Sequence, residues 1–259
     1  MATKKTTTKK SATAKASKPA AKKGATAKAA APKKAPAKKP AAKAVKKPAA
    51  DGAAGNVHEK VQLWKDGPYW ATTNIGAEKP EDFGYYFWWG DTVGYKREKD
   101  KWVATDGSST DFSFEEDNTP TCDDEDILRD EGWIGDDGVL VPEHDAAHIH
   151  WGGDCRMPTV DELLELIDKC KWTLKEVNGV EGHVVRGRGA YASASIFLPL
   201  AGRGDGTSLR RAGLTGTYWS SVPYSDDAWF LRFNSSCPWT RSSSRFRGRS
   251  VRPVQGFTK

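Results

Sequence analysis

The sequence predicts an α+β fold in which short antiparallel strands and irregular segments outnumber helices, preceded by a disordered basic tail. Three observations carry this prediction. The composition changes abruptly after residue 50, a single segment has a strong helical pattern, and short apolar or alternating segments recur between Gly-containing turns. Several short strands with turn signals and few helices are typical of an α+β fold.

The first fifty residues differ from the rest of the chain. Residues 1–50 hold sixteen of the 40 basic side chains, all Lys, and have no Asp, Glu or aromatic residue. Such a segment buries too little apolar surface to offset the entropy lost on ordering, so we expect residues 1–56 to be a disordered tail and hinge. The other 24 basic and 34 acidic side chains give residues 51–259 a net charge of −10. Residues 57–255 fit one domain.

The Lys-rich tail resembles the flexible polycationic tails of linker histones and bacterial histone-like proteins. Lys neutralises phosphates without reading the base sequence, so we expect salt-sensitive, non-specific binding to nucleic acid. The alternatives are a solubilising tail and a tail that folds back on the acidic body. The candidate nucleic-acid-binding side chains are Lys4, Lys5, Lys9, Lys10, Lys22, Lys23, Lys33, Lys34, Lys38, Lys39, Lys46 and Lys47.

No segment resembles a secretory signal or a membrane span, because Lys interrupts every apolar run near the N-terminus and the longest run elsewhere is strand-sized. We therefore expect a cytoplasmic protein that does not associate with membranes, with nucleoid association or a phage particle as alternative locations. The cysteines lack CxxC spacing and are expected to be free thiols, with one disulfide as the alternative. They are Cys122, Cys155, Cys170 and Cys237.

The first half of the body combines aromatic strands with a long acidic region. Residues 57–64 alternate and predict a strand, a second short strand follows around Trp70 and Ile75, and residues 83–89 predict a dense aromatic strand. Residues 92–150 are acidic and irregular. We expect them to be a long surface insertion with little regular structure.

The clearest helix begins after Thr159, which with Glu162 makes a capping box. Its expected apolar stripe is Leu163, Leu164, Ile167 and Cys170. Beyond it, Asn178-Gly179 predicts a hairpin turn. Later strands are predicted over residues 194–200, 216–221, 228–234 and 250–254, with a Gly-rich loop over residues 201–216.

The segment from Tyr218 to Gln255 mixes two kinds of residue. One set predicts buried anchors: Trp219, Trp229, Leu231, Phe233, Trp239, Val251 and Val254. Between these anchors lie chemically diverse side chains that follow no amphipathic period. A rigid frame that carries such residues is typical of a binding surface.

Several motifs of the body carry a resemblance to a known family. WATTNIGA, YYFWWGD, WGGDCRMPTVDELLELI, FLPLAGRGDG, GTYWSS, AWFLRFNSS and GRSVRPV occur in this order. The chain therefore resembles the Fibrobacter-type major paralogous domain over residues 57–255. This resemblance implies a C-type-lectin-like fold related to formylglycine-generating enzymes.

A narrower resemblance is to the variable proteins of diversity-generating retroelements, which keep a frame of the form YWSS…AW.L.F…G.SVRPV and diversify the residues between. It implies a non-enzymatic protein without a cofactor, whose diversified surface binds a macromolecular ligand, expected to be a protein. The variable, ligand-binding positions would be Tyr224, Ser225, Asp226, Asp227, Phe230, Arg232, Ser236, Cys237, Thr240, Arg241, Ser242, Ser243, Ser244, Phe246 and Arg247. Arg245 lies within the same run. The oligomeric state is not predicted.

Two other functions compete with this hypothesis. The chain could be a nucleoid-associated structural protein whose lectin-like body only packs. It could also be an oxidase of the formylglycine-generating type, but Cys237 has no second Cys nearby in sequence. Thiol-based metal or redox sites generally need more than one soft ligand.

Three further motifs are interpreted as non-functional. His144, His148 and His150, with neighbouring Asp145 and Asp154, could hold a metal, but no helical pattern brings the rings together, which favours a polar loop. The acidic run at residues 123–126 lacks the spacing of a calcium loop, which favours a solvated face. The tripeptide Arg203-Gly204-Asp205 is attributed to chance. We therefore predict no metal site.

Overall fold

The computed structural model describes residues 58–121 and 124–256, all within one unit of the chain. The predicted tail and hinge, residues 1–56, lie outside the described residues together with the twelve candidate lysines. Cys122 also lies outside them. Among the described residues, the secondary structure consists mostly of short strands. These are β1 Lys60–Gln62, β2 Tyr69–Ala71, β3 Tyr95–Glu98, β4 Lys101–Ala104, β5 Cys155–Arg156, β6 Lys171–Val177, β7 Val180–Arg186, β8 Ser195–Pro199, β9 Arg203–Asp205, β10 Ser208–Arg210, β11 Gly216–Tyr224, β12 Asp227–Phe233, β13 Pro238–Ser244 and β14 Val254–Gln255.

Helices are few and short in the described part of the chain. They are α1 Glu125–Asp130, α2 Ala146–Trp151 and α3 Val160–Lys169, with 3-10 turns at Glu116–Asn118, Pro142–His144 and Gly189–Tyr191. The strands pair antiparallel in open sheets, in the orders β1-β2-β14-β5, β6-β7-β8, β11-β12-β13, β3-β4 and β9-β10. The predicted combination of short antiparallel strands with few helices is confirmed.

Two local predictions are confirmed in detail. The Thr159 hydroxyl accepts from the Glu162 backbone N–H while the Glu162 carboxylate accepts from the Thr159 N–H, which closes the capping box of α3. Asn178 and Gly179 both have positive φ, 50° and 84°, and join β6 to β7 in a two-residue hairpin. The predicted stripe of α3 is wrong at Leu164, which is exposed, because Leu166 takes its place in the core.

Residues 92–150 were expected to lie on the surface with little regular structure, and this expectation is wrong for much of their described part. The β3–β4 hairpin, α1 and α2 lie in this region. Trp102 and Phe114 are fully buried in a cluster with Tyr86 and Tyr95, and Leu128 packs in a second cluster with Trp219. Large apolar side chains spaced along an acidic segment are sufficient to attach it to the core, although most of its other residues stay exposed or half-buried.

The aromatic segment at residues 83–89 forms isolated bridges instead of a continuous strand. Tyr86 pairs with Tyr95, and Phe87 pairs with Arg249. The backbone N–H of Trp89 donates to the Arg245 carbonyl. Since each residue has a different partner, no ladder extends along the segment. The expected strand at residues 250–254 is likewise reduced to β14 at its end.

Candidate functional site

The β11-β12-β13 sheet has two different faces because successive side chains of a strand alternate. On one face, Leu231 and Phe233 of β12 pack in a cluster with Leu163 and Leu166 of α3. On the other face, Phe230 and Arg232 point into a pocket. The helix therefore closes the Leu231 face. The opposite face packs in a second core cluster at Trp219, Ala228 and Phe230 and is open only beside the pocket.

This pocket, here called the arginine pocket, has a volume of about 280 Å³. Its arginines come from β9, β12, β13 and the segment after β13: Arg203, Arg232, Arg241, Arg247 and Arg249. Hydroxyl groups and one ring complete the lining: Thr215, Thr217, Ser242, Ser243, Ser244 and Phe230. None of the described residues that line it is acidic.

Close backbone packing brings the arginines of different segments together. Gly204 and Gly248 exchange both backbone hydrogen bonds, with N–O distances of 2.7 and 3.1 Å. A Cβ atom would lie 2.3 Å from the Phe114 ring at Gly204 and 2.5 Å from it at Gly248, so neither position tolerates a side chain. Gly204 follows Arg203 in sequence, and Gly248 lies between Arg247 and Arg249. The close approach of the two glycines therefore places Arg203 beside Arg247 and Arg249.

Aromatic rings support two of the guanidinium groups. The Arg249 guanidinium lies 3.6 Å from the centroid of the Phe230 ring and 4.5 Å from that of Trp219. The Arg232 guanidinium lies 5.3 Å from the centroid of Trp239. Such cation–π contacts fix the orientation of the guanidinium plane without using its N–H groups.

The charges in the pocket are only partly balanced. Asp205 forms an ion pair with Arg203 at 3.0 Å and a second, shorter one with Arg247. Burial, followed by the charges of Arg203, Arg247 and Arg232, lowers the pKa of Arg249 well below its usual value, although Asp227 partly opposes this. Burial, followed by Arg241, Arg211 and Arg203, also lowers the pKa of Arg232. Both shifts indicate an electropositive, partly dehydrated site.

Thirteen of the fifteen predicted ligand-binding positions fall into three groups. Tyr224, Ser225 and Asp226 are exposed at the turn between β11 and β12, which Asp227 closes. Ser236 and Cys237 are exposed at the turn between β12 and β13. The group that the structure brings together at the arginine pocket is Phe230, Arg232, Arg241, Ser242, Ser243, Ser244 and Arg247.

Two remaining positions stand apart from these groups. Thr240 pairs with Leu231, whose side chain packs towards α3, so alternation directs Thr240 to that face. Phe246 is half-buried beneath the Arg247 guanidinium, 4.5 Å from its ring centroid. Not all predicted positions therefore share one face.

The residues between the anchors were expected to form a binding surface, but the side chains of Phe230 and Arg245 are buried. Phe230 is 4% exposed and packs against Trp219 in the core. Arg245 is fully buried, donates to the carbonyls of Asp227 and Ser225, and lies over the Trp89 ring. Two of the expected anchors are also only half-buried. Trp229 packs edge-on against Tyr224, and Trp239 lies on the outer strand β13.

Sequence reasoning did not identify Arg203, Arg249 or the two threonines as parts of a site. Arg203 lines the arginine pocket and pairs with Asp205 beside it, which gives the tripeptide Arg203-Gly204-Asp205 a structural role. The run of Arg residues at 245–249 was a usable signal, but alternation alone does not tell which of them face inward. The Gly204–Gly248 approach has no sequence pattern of its own.

The histidine motif does not converge. Contrary to expectation, residues 146–151 are helical, as α2. His144 stacks on Trp133, and the His150 Nε2 lies 3.0 Å from the Thr92 carbonyl. Within residues 58–121 and 124–256, no three His, Cys, Asp or Glu side chains form a group that could hold a metal ion. Cys237 is an exposed free thiol, whereas Cys155 and Cys170 are buried free thiols.

Comparison of the chain with protein-family models, with curated proteins and with solved structures gave no match. In the described part of the chain, none of the helices combines the length and the apolar character that crossing a bilayer requires. Support for a function therefore comes from the chain's own residues and geometry.

Proposed function

We propose that this chain is a non-enzymatic binding protein with a C-type-lectin-like fold, resembling the variable proteins of diversity-generating retroelements. Its ligand surface is the open face of the β11-β12-β13 sheet with the two turns at its ends. The observation that supports this best is the division within the sheet. The Leu231 face is closed by α3, while diverse residues such as Arg232 and Arg241 line an open pocket.

The dimensions of this surface favour a macromolecular ligand. The turn at Tyr224 and the turn at Cys237 lie at opposite ends of β12, whose seven residues span about 20 Å. A ligand that contacts both turns and the pocket between them must be larger than a metabolite. Exposed Tyr and Arg side chains are enriched in protein-binding surfaces, so we propose a protein as the ligand.

The architecture also suits a surface that varies. Trp219, Leu231 and Phe233 are buried and belong to the expected frame. Arg241, Ser236 and Cys237 are exposed and can change without removing core contacts. Phe230 and Arg245 are exceptions, and their substitution is expected to be restricted.

The Lys-rich tail adds a second part to the proposal. Its sixteen Lys would bind nucleic acid through phosphates, without sequence preference. Because the body carries a net charge of −10, this binding is assigned to the tail alone. Tethering would raise the local concentration of the module near nucleic acid.

The DNA around the gene tests the diversification hypothesis. We expect a near-copy of the codons for residues 218–254, differing only where the copy has adenine, close to a reverse-transcriptase gene. If the gene has no such repeat nearby, the diversification hypothesis is wrong, and the chain is a binding protein of fixed sequence. Independent isolates should differ at codons such as those of Arg241 and Ser243, and not at those of Trp219 or Leu231.

Two alternatives make different predictions. If the body only packs as a nucleoid-associated protein, all binding activity should be lost when residues 1–50 are deleted. If the chain is an oxidase, Cys237→Ser should abolish a thiol-dependent activity. The Cys237 thiol is exposed and free, whereas Cys155 in β5 and Cys170 at the end of α3 are buried free thiols.

A further inference from the structure

The arginine pocket contains more positive charge than the described residues neutralise. Asp205 pairs with Arg203 and Arg247. Within the described residues, neither Arg232 nor Arg241 has a carboxylate within ion-pair distance, and the same holds for Arg249. Three guanidinium groups therefore lie around one small pocket without acidic partners. Arg241 is exposed and Arg232 half-buried, but Arg249 is buried, and burying an unpaired cation is costly.

Two of these groups also have unused hydrogen-bond donors. The Nε atoms of Arg232 and Arg249 are buried and have no partner among the described residues. Arg249 is 2% exposed, and the rings of Phe230 and Trp219 fix its position. Buried donors without acceptors are rare in folded proteins and need an explanation. A hydrogen-bond acceptor supplied by a bound ligand is one such explanation.

The neighbouring groups of the pocket could complete such a site. The Ser243 hydroxyl can donate as well as accept, whereas the Thr217 hydroxyl already donates to the Gly202 carbonyl. Arg241 is exposed at the rim. The volume of about 280 Å³ is small for an entire organic ligand but ample for one functional group. The net charge of −10 on the body opposes an extended polyanion, so a single anionic group on an otherwise neutral or basic partner fits better.

We propose that the arginine pocket binds one oxyanion group of the ligand, a carboxylate or a phosphate, through the guanidinium groups of Arg232, Arg241 and Arg249. Arginine presents paired donors that match the two oxygens of such a group, and the aromatic supports hold these donors in place before binding. This inference rests on the proposed function, because it names the chemistry that the ligand must bring to the same surface.

Calorimetric titration of the full chain with small anions tests the inference. The probes are inorganic phosphate, sulfate and glutarate, each added at constant ionic strength against chloride. We expect saturable binding of one equivalent by at least one oxyanion. A preference for glutarate assigns the site to carboxylates, and a preference for phosphate assigns it to phosphate groups. Binding no tighter than that of chloride overturns the proposal.

Substitutions locate the binding. Arg232→Gln and Arg241→Gln should each lower the affinity for the oxyanion about tenfold, the loss expected for one charge-assisted hydrogen bond. The matched control is Arg186→Gln, which removes an exposed arginine from β7 in a different sheet and should leave the affinity unchanged. Equal loss in the control, or none in the pocket variants, contradicts the assignment.

The buried arginine needs a separate variant because Arg249→Gln could unfold the chain. Arg249→Lys keeps the charge and removes the paired donors, and its folding is checked by near-ultraviolet circular dichroism. A folded variant should bind the oxyanion at least tenfold more weakly. Because Arg241 is exposed, its variant decides the question even if Arg249→Lys does not fold.

Failure of the oxyanion inference can be distinguished from failure of the proposed function. If the macromolecular ligand is bound but no oxyanion competes with it, only the oxyanion inference fails. If oxyanions bind but substitutions at the two turns leave macromolecular binding unchanged, the broad ligand surface fails instead. If duplex DNA binds the pocket in place of small anions, and Arg241→Gln abolishes this binding, the site belongs to nucleic acid and the proposal is overturned.

Discussion

The guanidinium carbon of Arg249 lies 3.6 Å from the centroid of the Phe230 ring, at the boundary between the core and the arginine pocket. One side of this ring packs with Trp219, and the ring also lines the pocket. Phe230 therefore belongs to the binding surface and to the core at once. The contact explains how a buried cation is held without a carboxylate beside it.

Phe230 and Arg241 pair across the β12–β13 ladder but should differ in their effect on stability. Phe230→Ala should lower the free energy of unfolding by about 3–5 kcal/mol, because it empties a buried aromatic site. Arg241→Ala, at an exposed position, should change it by less than about 0.5 kcal/mol. Urea unfolding measures both values. A neutral Phe230→Ala would mean that the ring is not part of the core.

Arg252 joins three parts of the fold. Its side chain donates to the Asn74 Oδ1 at 2.9 Å, to the Ala71 carbonyl at 3.0 Å and to the Phe197 carbonyl at 2.9 Å. A lysine nitrogen cannot reach all three acceptors, so Arg252→Lys should cost about 2–4 kcal/mol of stability, measured by urea unfolding. Arg186→Lys, on the surface, is the control and should be neutral. A neutral Arg252→Lys would show that these bonds do not hold the fold.

The buried His183 should make stability depend on pH. Its Nε2 lies 2.7 Å from the Asn234 carbonyl, its Nδ1 has no described partner, and burial lowers its pKa despite that bond. The unfolded state therefore binds the proton more readily than the folded state. The stabilisation that neutral His183 gives to the folded state is complete above about pH 6.5 and is lost as the pH falls through the folded-state pKa.

The variant His183→Gln isolates this contribution, since its amide can still donate to Asn234. Unfolding free energies measured between pH 5 and 8 should fall less steeply on acidification for the variant than for the wild-type chain. Superimposable pH profiles would show that His183 does not carry the effect. Other histidines contribute equally to both proteins and cancel in the comparison.

The tail should account for binding to nucleic acid. Fluorescence anisotropy with a short DNA duplex should show binding by the full chain that weakens steeply with salt and does not depend on base sequence. Deleting residues 1–50 should abolish it, because the remainder carries a net charge of −10. Undiminished binding by the shortened chain would assign the interaction to the body.

Parts of the fold with a local cause were predictable from sequence. The α3 capping box depends on Thr159 and Glu162, and the β6–β7 hairpin on Asn178 and Gly179. Strand β12 was predictable because the residues that face the core, such as Leu231 and Phe233, are apolar. In each case neighbouring residues along the chain contain the necessary information.

Strand β13 was missed for a physical reason. It is an outer strand of its sheet and one of its faces borders the arginine pocket, so PWTRSSS has no apolar alternation. The arginine pocket itself depends on Arg203 meeting Arg249 through the Gly204–Gly248 backbone contact. That meeting joins residues far apart in sequence, and no periodicity reveals it.

The dissociation constant of the macromolecular ligand for matched surface variants tests the central claim most directly. The ligand is first isolated by affinity capture on the full chain, and binding is then measured for the wild-type chain, Arg241→Ser and Lys175→Ser. The exposed Lys175 lies on β6, in another sheet. Binding at the open face of the β11-β12-β13 sheet predicts at least tenfold weaker affinity for Arg241→Ser, with Lys175→Ser unchanged and both variants fully folded. Equal affinities for all three proteins would contradict it.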